Sequence, residues 1–341
     1  AESYKQIFKC NPPHSNVSSP LPKGDHPKLD TSSFLDDDNA QIYQSLVGSM
    51  QWAVTIGRYD IQCAVMTLSR FRAMPRQGHL ERVQRVYGYL LKFKNFMIRF
   101  RVDEPDYEGV EIKKYDWLNT PYGNPSEEIP KDAPPPLGKR VVLTHYYDAN
   151  LMHDVLNGKA VTGCIHFYNK TPIDTFSKLQ ATPETATYGS EFVAARKCIE
   201  QIIGHRQSLR YLGAPICDTS YVFGDNETQI NSSTLPHARL HKRHNILSYH
   251  FVRSMVACGF INLHHLRSEL NLADVLSKHW GHQSVYETLL KPVLHHVGNI
   301  GSLLTQDEEF YVQESFTGKY LELHDNDDDD DVCTLEREDG E

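Results

Sequence analysis

The chain has 341 residues, of which 40% are hydrophobic and 23% are charged, as in ordinary globular proteins. It has no uninterrupted apolar run of membrane-spanning length and no signal-peptide pattern, which argues against a membrane protein and against a membrane partner. The seven cysteines are odd in number and include no C-x-x-C pair, which favours reduced thiols over a disulfide scaffold or a zinc–cysteine site.

The net charge of −9 is unevenly distributed along the chain. Residues 301–341 contain 15 acidic and 2 basic residues, whereas the preceding part contains 29 acidic and 33 basic residues. The run DNDDDDD at 325–331 lacks the glycine and the distal glutamate of a calcium-binding loop. Residues 299–341 are therefore predicted to form a disordered acidic tail, attached to a mildly basic folded part.

The first hundred residues are predicted to form an arm followed by helices. Residues 1–40 are rich in Pro, Ser, Asp and Lys and lack periodicity, which predicts an extended arm; their start, AESYKQIFKC, looks like the middle of a longer protein. Apolar residues then recur at helical spacing in YQSLVGSMQWAV (43–54), DIQCAVMTLSRF (60–71) and HLERVQRVYGYLLKFK (79–94). These stretches predict a small helical region over residues 41–100.

Residues 101–138 are polar and turn-rich and end in KDAPPPLGKR, so they are predicted to be a linker or a long insertion. Strand patterns follow, in VVLTHYYD (141–148), AVTGCIHFYN (160–169) and PIDTFS (172–177). A long helix is predicted next, with Thr182 as its N-cap, Pro183 at its first position and Gly213 at its far end.

Two more strands are predicted after the long helix, SYVFGDN and INLHHLRS, with a helical stretch near 240–258 between them and LNLADVLSKHW as a final helix. Successive strands pair most simply as an antiparallel meander, whereas strands reached through helices are added in parallel. Residues 139–298 are therefore predicted to form an α/β domain, with a mixed five-stranded sheet, flanking helices and a small helical region before it.

Four carboxylates occupy functionally suggestive positions in this domain. Asp148 and Asp225 are predicted at strand ends, where α/β sheets bind ligands, whereas Glu191 borders the buried stripe of the long helix and Asp274 lies in the first turn of the last one. Singly, each has an ordinary explanation as a strand terminator, a solvated residue or a helix-start charge. Together they would repel one another unless cations neutralise them, and oxygen-only ligands suit Mg²⁺ or Mn²⁺. Two such ions can hydrolyse a phosphodiester, so the four acids predict a nuclease.

Two parts of the chain resemble copia-type retrotransposon Pol polyproteins. GSMQWAVTIGRYDIQCAVMTLSRF, within the matching stretch of about 20–100, is similar to the segment that closes the reverse transcriptase domain. YYDANL, ATPETATYGSEFVAA, FGDNETQI, HARLHKRHNILSYHFVR and LNLADVLSKHW, within about 141–290, resemble the ribonuclease H domain. The resemblance implies a ribonuclease H-like fold after a remnant of the polymerase thumb or connection.

The same resemblance implies cleavage of the RNA strand of RNA–DNA hybrids. Asp148, Glu191, Asp225 and Asp274 take the family's four catalytic, metal-binding positions. The implied partners are the hybrid and the rest of the Pol polyprotein, in a cytoplasmic virus-like particle or in the nucleus. The polymerase motif, an aromatic residue followed directly by paired aspartates, is not found upstream of the helical region, so polymerase activity is not expected from this chain.

Two other function classes stay open on the sequence. The chain could be an inactive nucleic-acid-binding remnant of a truncated element. It could also be a DNA-cutting transposase or integrase relative, although a glutamate on the first long helix argues against that class, which usually carries its glutamate later.

The stretch HARLHKRHNILSYHFVR (237–253) is predicted to be a basic helix whose arginines and lysine contact nucleic-acid phosphates. The residues assigned to this contact are Arg239, Lys242, Arg243 and Arg253. Two alternatives to a phosphate contact stay open for this stretch, a zinc site at His241 and His244 and a solvated helix face.

His279 is considered either as a group that transfers a proton or helps the product leave, or as an ordinary surface histidine. The tryptophans are predicted to pack in the interior rather than to stack on bases, and they are Trp52, Trp117 and Trp280.

Overall fold

The computed structural model describes residues 2–10, 12, 17–107, 110, 112, 114–216, 219–240, 243–281 and 285–296. The acidic tail predicted at 299–341 lies outside these residues. None of the helices in the described part combines the length and the hydropathy needed to cross a bilayer.

The N-terminal third is helical, with α1 (Glu2–Phe8), α2 (Asp37–Thr55), α3 (Gln62–Ser69) and α4 (Gln77–Lys92). Helix α2 begins after Asp36, whose carboxylate accepts a hydrogen bond from the Asn39 amide. The small helical region is therefore confirmed. The predicted extended arm is wrong for Glu2–Phe8, because this segment forms a helix with Tyr4 buried against the helical core.

After α4, strand β1 (Phe96–Met97) pairs with β7 (His295–His296) near the end of the described chain. The main sheet consists of β2 (Leu143–Asp154), β3 (Lys159–Tyr168), β4 (Thr171–Leu179), β5 (Ser220–Gly224) and β6 (Ile261–His265). Its order is β4-β3-β2-β5-β6, with the first three strands antiparallel and β2, β5 and β6 parallel. The predicted mixed five-stranded sheet is therefore confirmed.

The helices that follow the meander are α5 (Thr187–Tyr211), α6 (Glu227–Thr234), α7 (Ile246–Ala257) and the single turn α8 (Asp274–Ser277). Helix α5 starts later than predicted, with Ala186 rather than Thr182 as N-cap, because Glu184 lies against Gly189 and binds His244 instead of continuing a helix. Sequence patterns did not indicate α6, which is short and polar.

The two faces of the sheet bury different partners. Strand β3 shows the alternation directly, since Cys164 lies in the core under α5 and Ile165 lies in the core shared with the N-terminal helices. The predicted stripe of α5 is buried as expected; it consists of Phe192, Ala195, Ile199, Ile202 and Leu209. Trp117 and Trp280 are buried, but the predicted packing role of Trp52 is wrong, because 67% of its surface is exposed.

Polar contacts also join the N-terminal third of the chain to the sheet. Lys28 and Arg70 both form ion pairs with Asp154 at the end of β2, at 2.9 and 2.6 Å. The Tyr59 hydroxyl donates to the Ile173 carbonyl at 3.1 Å. The helical region is therefore packed on the sheet through both apolar and charged contacts.

The segment predicted as a linker is packed along the α/β unit. The Glu127 carboxylate binds Arg206 at 2.5 Å and Arg210 at 2.7 Å, both on α5. Trp117 packs under the guanidinium of Arg253, on α7, at 4.8 Å from the ring centroid. This segment therefore covers the ends of α5 and α7.

Gly224 shows why the last residue of β5 has no side chain. A Cβ built there would lie 2.4 Å from the Tyr147 ring, which is fully buried and whose hydroxyl donates to Gln229. We expect Gly224→Ala to lower the free energy of unfolding by about 1–3 kcal/mol, because a packed ring must move. Chemical denaturation measures this loss.

Gly204→Ala is the matched control for this prediction. Gly204 is exposed on α5, and no atom lies within 4 Å of the position that a Cβ would occupy there. Alanine is therefore expected to stabilise the protein by about 0.5–1 kcal/mol. An equal effect of both substitutions would contradict the steric explanation.

Candidate metal centre

Asp148 lies within a strand rather than at its end. Pairing between β2 and β3 continues past it through Ala149 and Asn150, so the predicted strand end is wrong. The Asp148 side chain lies opposite Gly163 and is only 1% exposed. A carboxylate is thus held in the middle of the sheet, where solvent does not screen it.

Glu191 reaches the same place from the second turn of α5 and is 4% exposed. Its Oε1 accepts a hydrogen bond from the Ala149 amide at 3.3 Å. Its Oε2 is buried without a hydrogen-bond partner among the described residues. A buried carboxylate oxygen without a donor is costly, so this atom is suited to a cation.

Asp225 follows directly after β5 and is partly exposed. Strands β2 and β5 are parallel neighbours in which Tyr146 pairs with Phe223, so two residues further on Asp148 and Asp225 come side by side. One carboxylate oxygen each from Asp148, Glu191 and Asp225 lies within 4.8 Å of the other two. The structure thus brings together three of the four predicted acids.

Asp274 stands beside this group of three, as the first residue of α8. Gly163 allows α8 to approach the sheet, since a Cβ there would lie 2.7 Å from the Ala273 carbonyl oxygen. Asn271 fixes the turn before α8, because its side chain donates to the Tyr147 carbonyl and accepts from the Ala273 amide. Sequence patterns did not indicate either residue, since both act across the fold.

Ser277 and Lys278 are further site residues that the sequence reasoning missed. The Ser277 hydroxyl donates to Asp148 Oδ2. The Lys278 ammonium forms an ion pair with Asp274 Oδ1 and lies 3.6 Å from Asp148 Oδ2. The i, i+4 spacing of Asp274 and Lys278 was a visible signal of their pairing.

The electrostatics of the site follow from burial and like charges. Burial, with Asp274 and Asp225 nearby, raises the pKa of Asp148 to about 6. Burial and the charges of Asp148 and Asp225 raise the pKa of Glu191 well above its usual value. Burial alone would lower the pKa of Lys278, but the surrounding carboxylates hold it above its ordinary value. The four acids and one ammonium leave an excess of negative charge that divalent cations would neutralise.

The donor set fits a hard divalent ion. All converging ligand atoms are carboxylate oxygens, the type that Mg²⁺ and Mn²⁺ prefer. Among the oxygens of these three carboxylates, Glu191 Oε2 is buried without a hydrogen-bond partner in the described part of the chain.

Comparison with known proteins identifies relatives of the chain. It is 26% identical over 239 residues to the retrovirus-related Pol polyprotein from transposon TNT 1-94 of Nicotiana tabacum. It is 25% identical over 259 residues to those from transposons RE1 and RE2 of Arabidopsis thaliana. These three relatives are Pol polyproteins of plant transposons. The alignments cover 69–75% of the chain, and the chain spans 15% of each Pol polyprotein.

No family model matches the chain. Among solved structures, RNase H1 from Halobacterium salinarum is 15% identical and aligns over 41% of this chain and 95% of its own, with a TM-score of 0.31. LC11-RNase H1, solved in complex with an RNA/DNA hybrid, is 16% identical over 39% of this chain and 92% of its own, with a TM-score of 0.31.

The basic stretch within the region similar to Pol polyproteins is only partly as predicted. Arg239 and Arg243 are exposed, but Arg239 lies in an irregular segment and Arg243 begins a 3₁₀ turn (Arg243–Asn245) before α7, so neither lies on an α-helix. Lys242, like His241 of the alternative zinc site, lies outside the described residues. The phosphate contact predicted for Arg253 is wrong in this structure, because Arg253 is 2% exposed and donates to three backbone carbonyls of residues 232–236.

His279 is not the surface histidine that was one of its two interpretations. Its Nδ1 lies 3.7 Å from Cys63 Sγ, and its ring packs against His153 at 5.1 Å between centroids. Burial lowers the pKa of His279 to about 3 and that of His153 to about 4. Both imidazoles are thus neutral at pH 7. This cluster joins α3, β2 and the end of α8, a contact that sequence spacing does not reveal.

Proposed function

We propose that this chain carries the ribonuclease H activity of a retrotransposon Pol polyprotein, and that it cleaves the RNA strand of RNA–DNA hybrids with Mg²⁺ or Mn²⁺. The observation that supports this proposal is the convergence of Asp148, Glu191 and Asp225 within 4.8 Å, with one Glu191 oxygen buried and unpartnered in the described structure. Homology to Pol polyproteins provides the context.

The side chains have separable roles in this proposal. Asp148, Glu191 and Asp225 would hold one ion, and Asp274 would complete a second position. The bound metal would activate the attacking water and stabilise the leaving oxygen. The Ser277 hydroxyl orients the Asp148 carboxylate through its hydrogen bond, which sets the direction in which Asp148 presents its other oxygen.

The proposal also assigns the two main regions of the chain to parts of a Pol polyprotein. Residues 41–100 would be the end of the reverse transcriptase and residues 139–298 the ribonuclease H unit. Polymerase activity is not part of this proposal, because the sequence before the helical region lacks the motif of an aromatic residue followed directly by paired aspartates. The proposed setting is the virus-like particle.

The test uses the full chain with end-labelled RNA–DNA hybrid, duplex DNA and single-stranded RNA, in Mg²⁺, Mn²⁺ or EDTA. We expect cleavage of the RNA strand of the hybrid alone, and only with a divalent ion. Hybrid binding without cleavage would instead identify an inactive remnant. Cleavage of duplex DNA but not of hybrid would identify a relative of transposases.

Arg239 and Arg243 are proposed to contact phosphates of the hybrid. Replacing both by glutamine in a Glu191→Gln background is expected to reduce the slope of log Kd against log salt by about 2, since each lost phosphate contact releases about one fewer counterion. Fluorescence anisotropy at several salt concentrations measures the slope. Arg196→Gln is the control, because Arg196 is already paired with Glu200. An unchanged slope in the double variant would place the hybrid elsewhere.

A further inference from the structure

Lys278 lies where a second cation would be needed. Its ammonium pairs with Asp274 Oδ1 and is 3.6 Å from Asp148 Oδ2, so it lies between the two carboxylates that face each other across α8 and β2. The three-carboxylate group contains Asp148, Glu191 and Asp225 but not Asp274. Lys278 therefore supplies positive charge directly to the Asp148–Asp274 side of the site, whereas no basic side chain of the described residues forms an ion pair with Glu191 or Asp225.

The carboxylate oxygens on the two sides of the site also differ in their hydrogen-bond and ion-pair partners. On the Lys278 side, Asp148 Oδ2 accepts from Ser277 and faces the ammonium. On the other side, Glu191 Oε2 has no donor in the described structure. The first divalent ion to bind gains the most electrostatic free energy where no positive group of the protein neutralises the carboxylates. An ion at the Asp148–Asp274 side would meet an ammonium at close range, and like charges at such distances repel strongly in a partly buried site.

We propose that the Lys278 ammonium occupies the second cation position in the resting protein. The resting site then binds one divalent ion, at Asp148, Glu191 and Asp225, and a second ion binds only when Lys278 moves away. This inference rests on the proposed metal-dependent function. The lysine is able to leave, because 38% of its side chain is exposed and four methylene groups connect the ammonium to the backbone.

The test counts bound ions without measuring activity. Mn²⁺ is titrated into the full chain, and free Mn²⁺ is followed by electron paramagnetic resonance. Wild type is expected to bind one ion tightly and a second at least about tenfold more weakly. Lys278→Met removes the charge but retains the apolar stem, and it is expected to bind two ions with the weaker Kd improved by about tenfold, the change that one close charge produces in a partly exposed site. Lys278→Arg keeps the charge and should resemble wild type.

Lys291→Met is the matched control, because Lys291 forms the same i, i+4 pair with an acid, Glu287, outside the site. It should leave the titration unchanged. Two equally tight ions in wild type, or an unchanged weaker Kd in Lys278→Met, would overturn the role of Lys278 while leaving the metal centre intact. Absence of any Mn²⁺ binding in wild type would overturn both this inference and the proposed function. Circular dichroism of each variant confirms that the titrated protein is folded.

Discussion

Glu191→Gln is expected to lower kcat for hybrid cleavage by at least about 10³-fold. Glutamine keeps the size of the side chain and the acceptor for the Ala149 amide, but it removes the charge that faces the proposed ion. A metal ion contributes several kcal/mol to transition-state stabilisation, and each 1.36 kcal/mol corresponds to a factor of ten. Single-turnover cleavage of labelled hybrid in Mg²⁺ measures the loss.

Glu200→Gln provides the control on the same helix. Glu200 is exposed and pairs with Arg196 and Lys197 at the surface, so its loss is expected to leave kcat unchanged. Hybrid binding should survive in both variants, since phosphate contacts do not require Glu191. Wild-type kcat in Glu191→Gln would remove this residue from the metal centre. Equal loss in Glu200→Gln would show that the assay reports on folding.

Asp148→Asn is expected to stabilise the metal-free protein at pH 8 while abolishing activity. The pKa of the Asp148 carboxyl is raised from 3.8 to about 6 in the folded state, chiefly by burial, so this group binds its proton more tightly when folded. Its stabilising contribution is complete below pH 4 and is lost as the pH rises through 6. Above that pH, the ionised carboxyl lowers the free energy of unfolding by about 3 kcal/mol, which corresponds to roughly 5–10 °C in Tm.

Thermal unfolding in EDTA at pH 5 and pH 8 tests this prediction. The gain in Tm of Asp148→Asn should be larger at pH 8. Mg²⁺ should raise the Tm of wild type at pH 8, because a ligand that binds only the folded state stabilises it. A lower Tm for Asp148→Asn at pH 8 would mean that the ion pair with Lys278 outweighs burial.

Asp154→Asn serves as the control of opposite sign on the same strand. Asp154 is buried and forms ion pairs with Lys28 and Arg70. Burial alone would raise the pKa of its carboxyl, but the contacts with these two cations lower it. Removing its charge leaves two cations without their partner, so this variant is expected to be destabilised at pH 8 by about 3 kcal/mol. Two buried aspartates of β2 thus respond oppositely to the same substitution.

Local patterns predicted most of the secondary structure for identifiable reasons. The stripe of α5 repeats at helical spacing and is buried as expected, and the meander from Leu143 to Leu179 shows strand composition broken by turn residues. Boundaries were less predictable. Thr182 and Pro183 form a good helix start in isolation, but Glu184 binds His244, which is distant in the sequence, and the helix starts at Thr187.

The basic stretch shows where a local pattern misled. Arg253 was indistinguishable in sequence from Arg239 and Arg243. Its burial depends on Trp117, in a segment with no regular pattern, and on carbonyl groups that become unpaired where α6 ends. Such acceptors exist only after the chain has folded, so charge alone could not separate a structural arginine from two exposed ones.

The sequence by itself determined the order of the five strands of the main sheet, the order of most helices other than α1 and α6, and the identity of the four acids, because periodicity, turn residues and residue type are local properties. Tertiary structure decided the distances. Parallel pairing of β2 with β5 places Asp225 beside Asp148, and the absence of a side chain at Gly163 lets α8 approach the sheet. Only that approach brings Lys278 to Asp148, about 130 residues away in the sequence. The proposed competition between the Lys278 ammonium and a second metal ion therefore arises from tertiary packing.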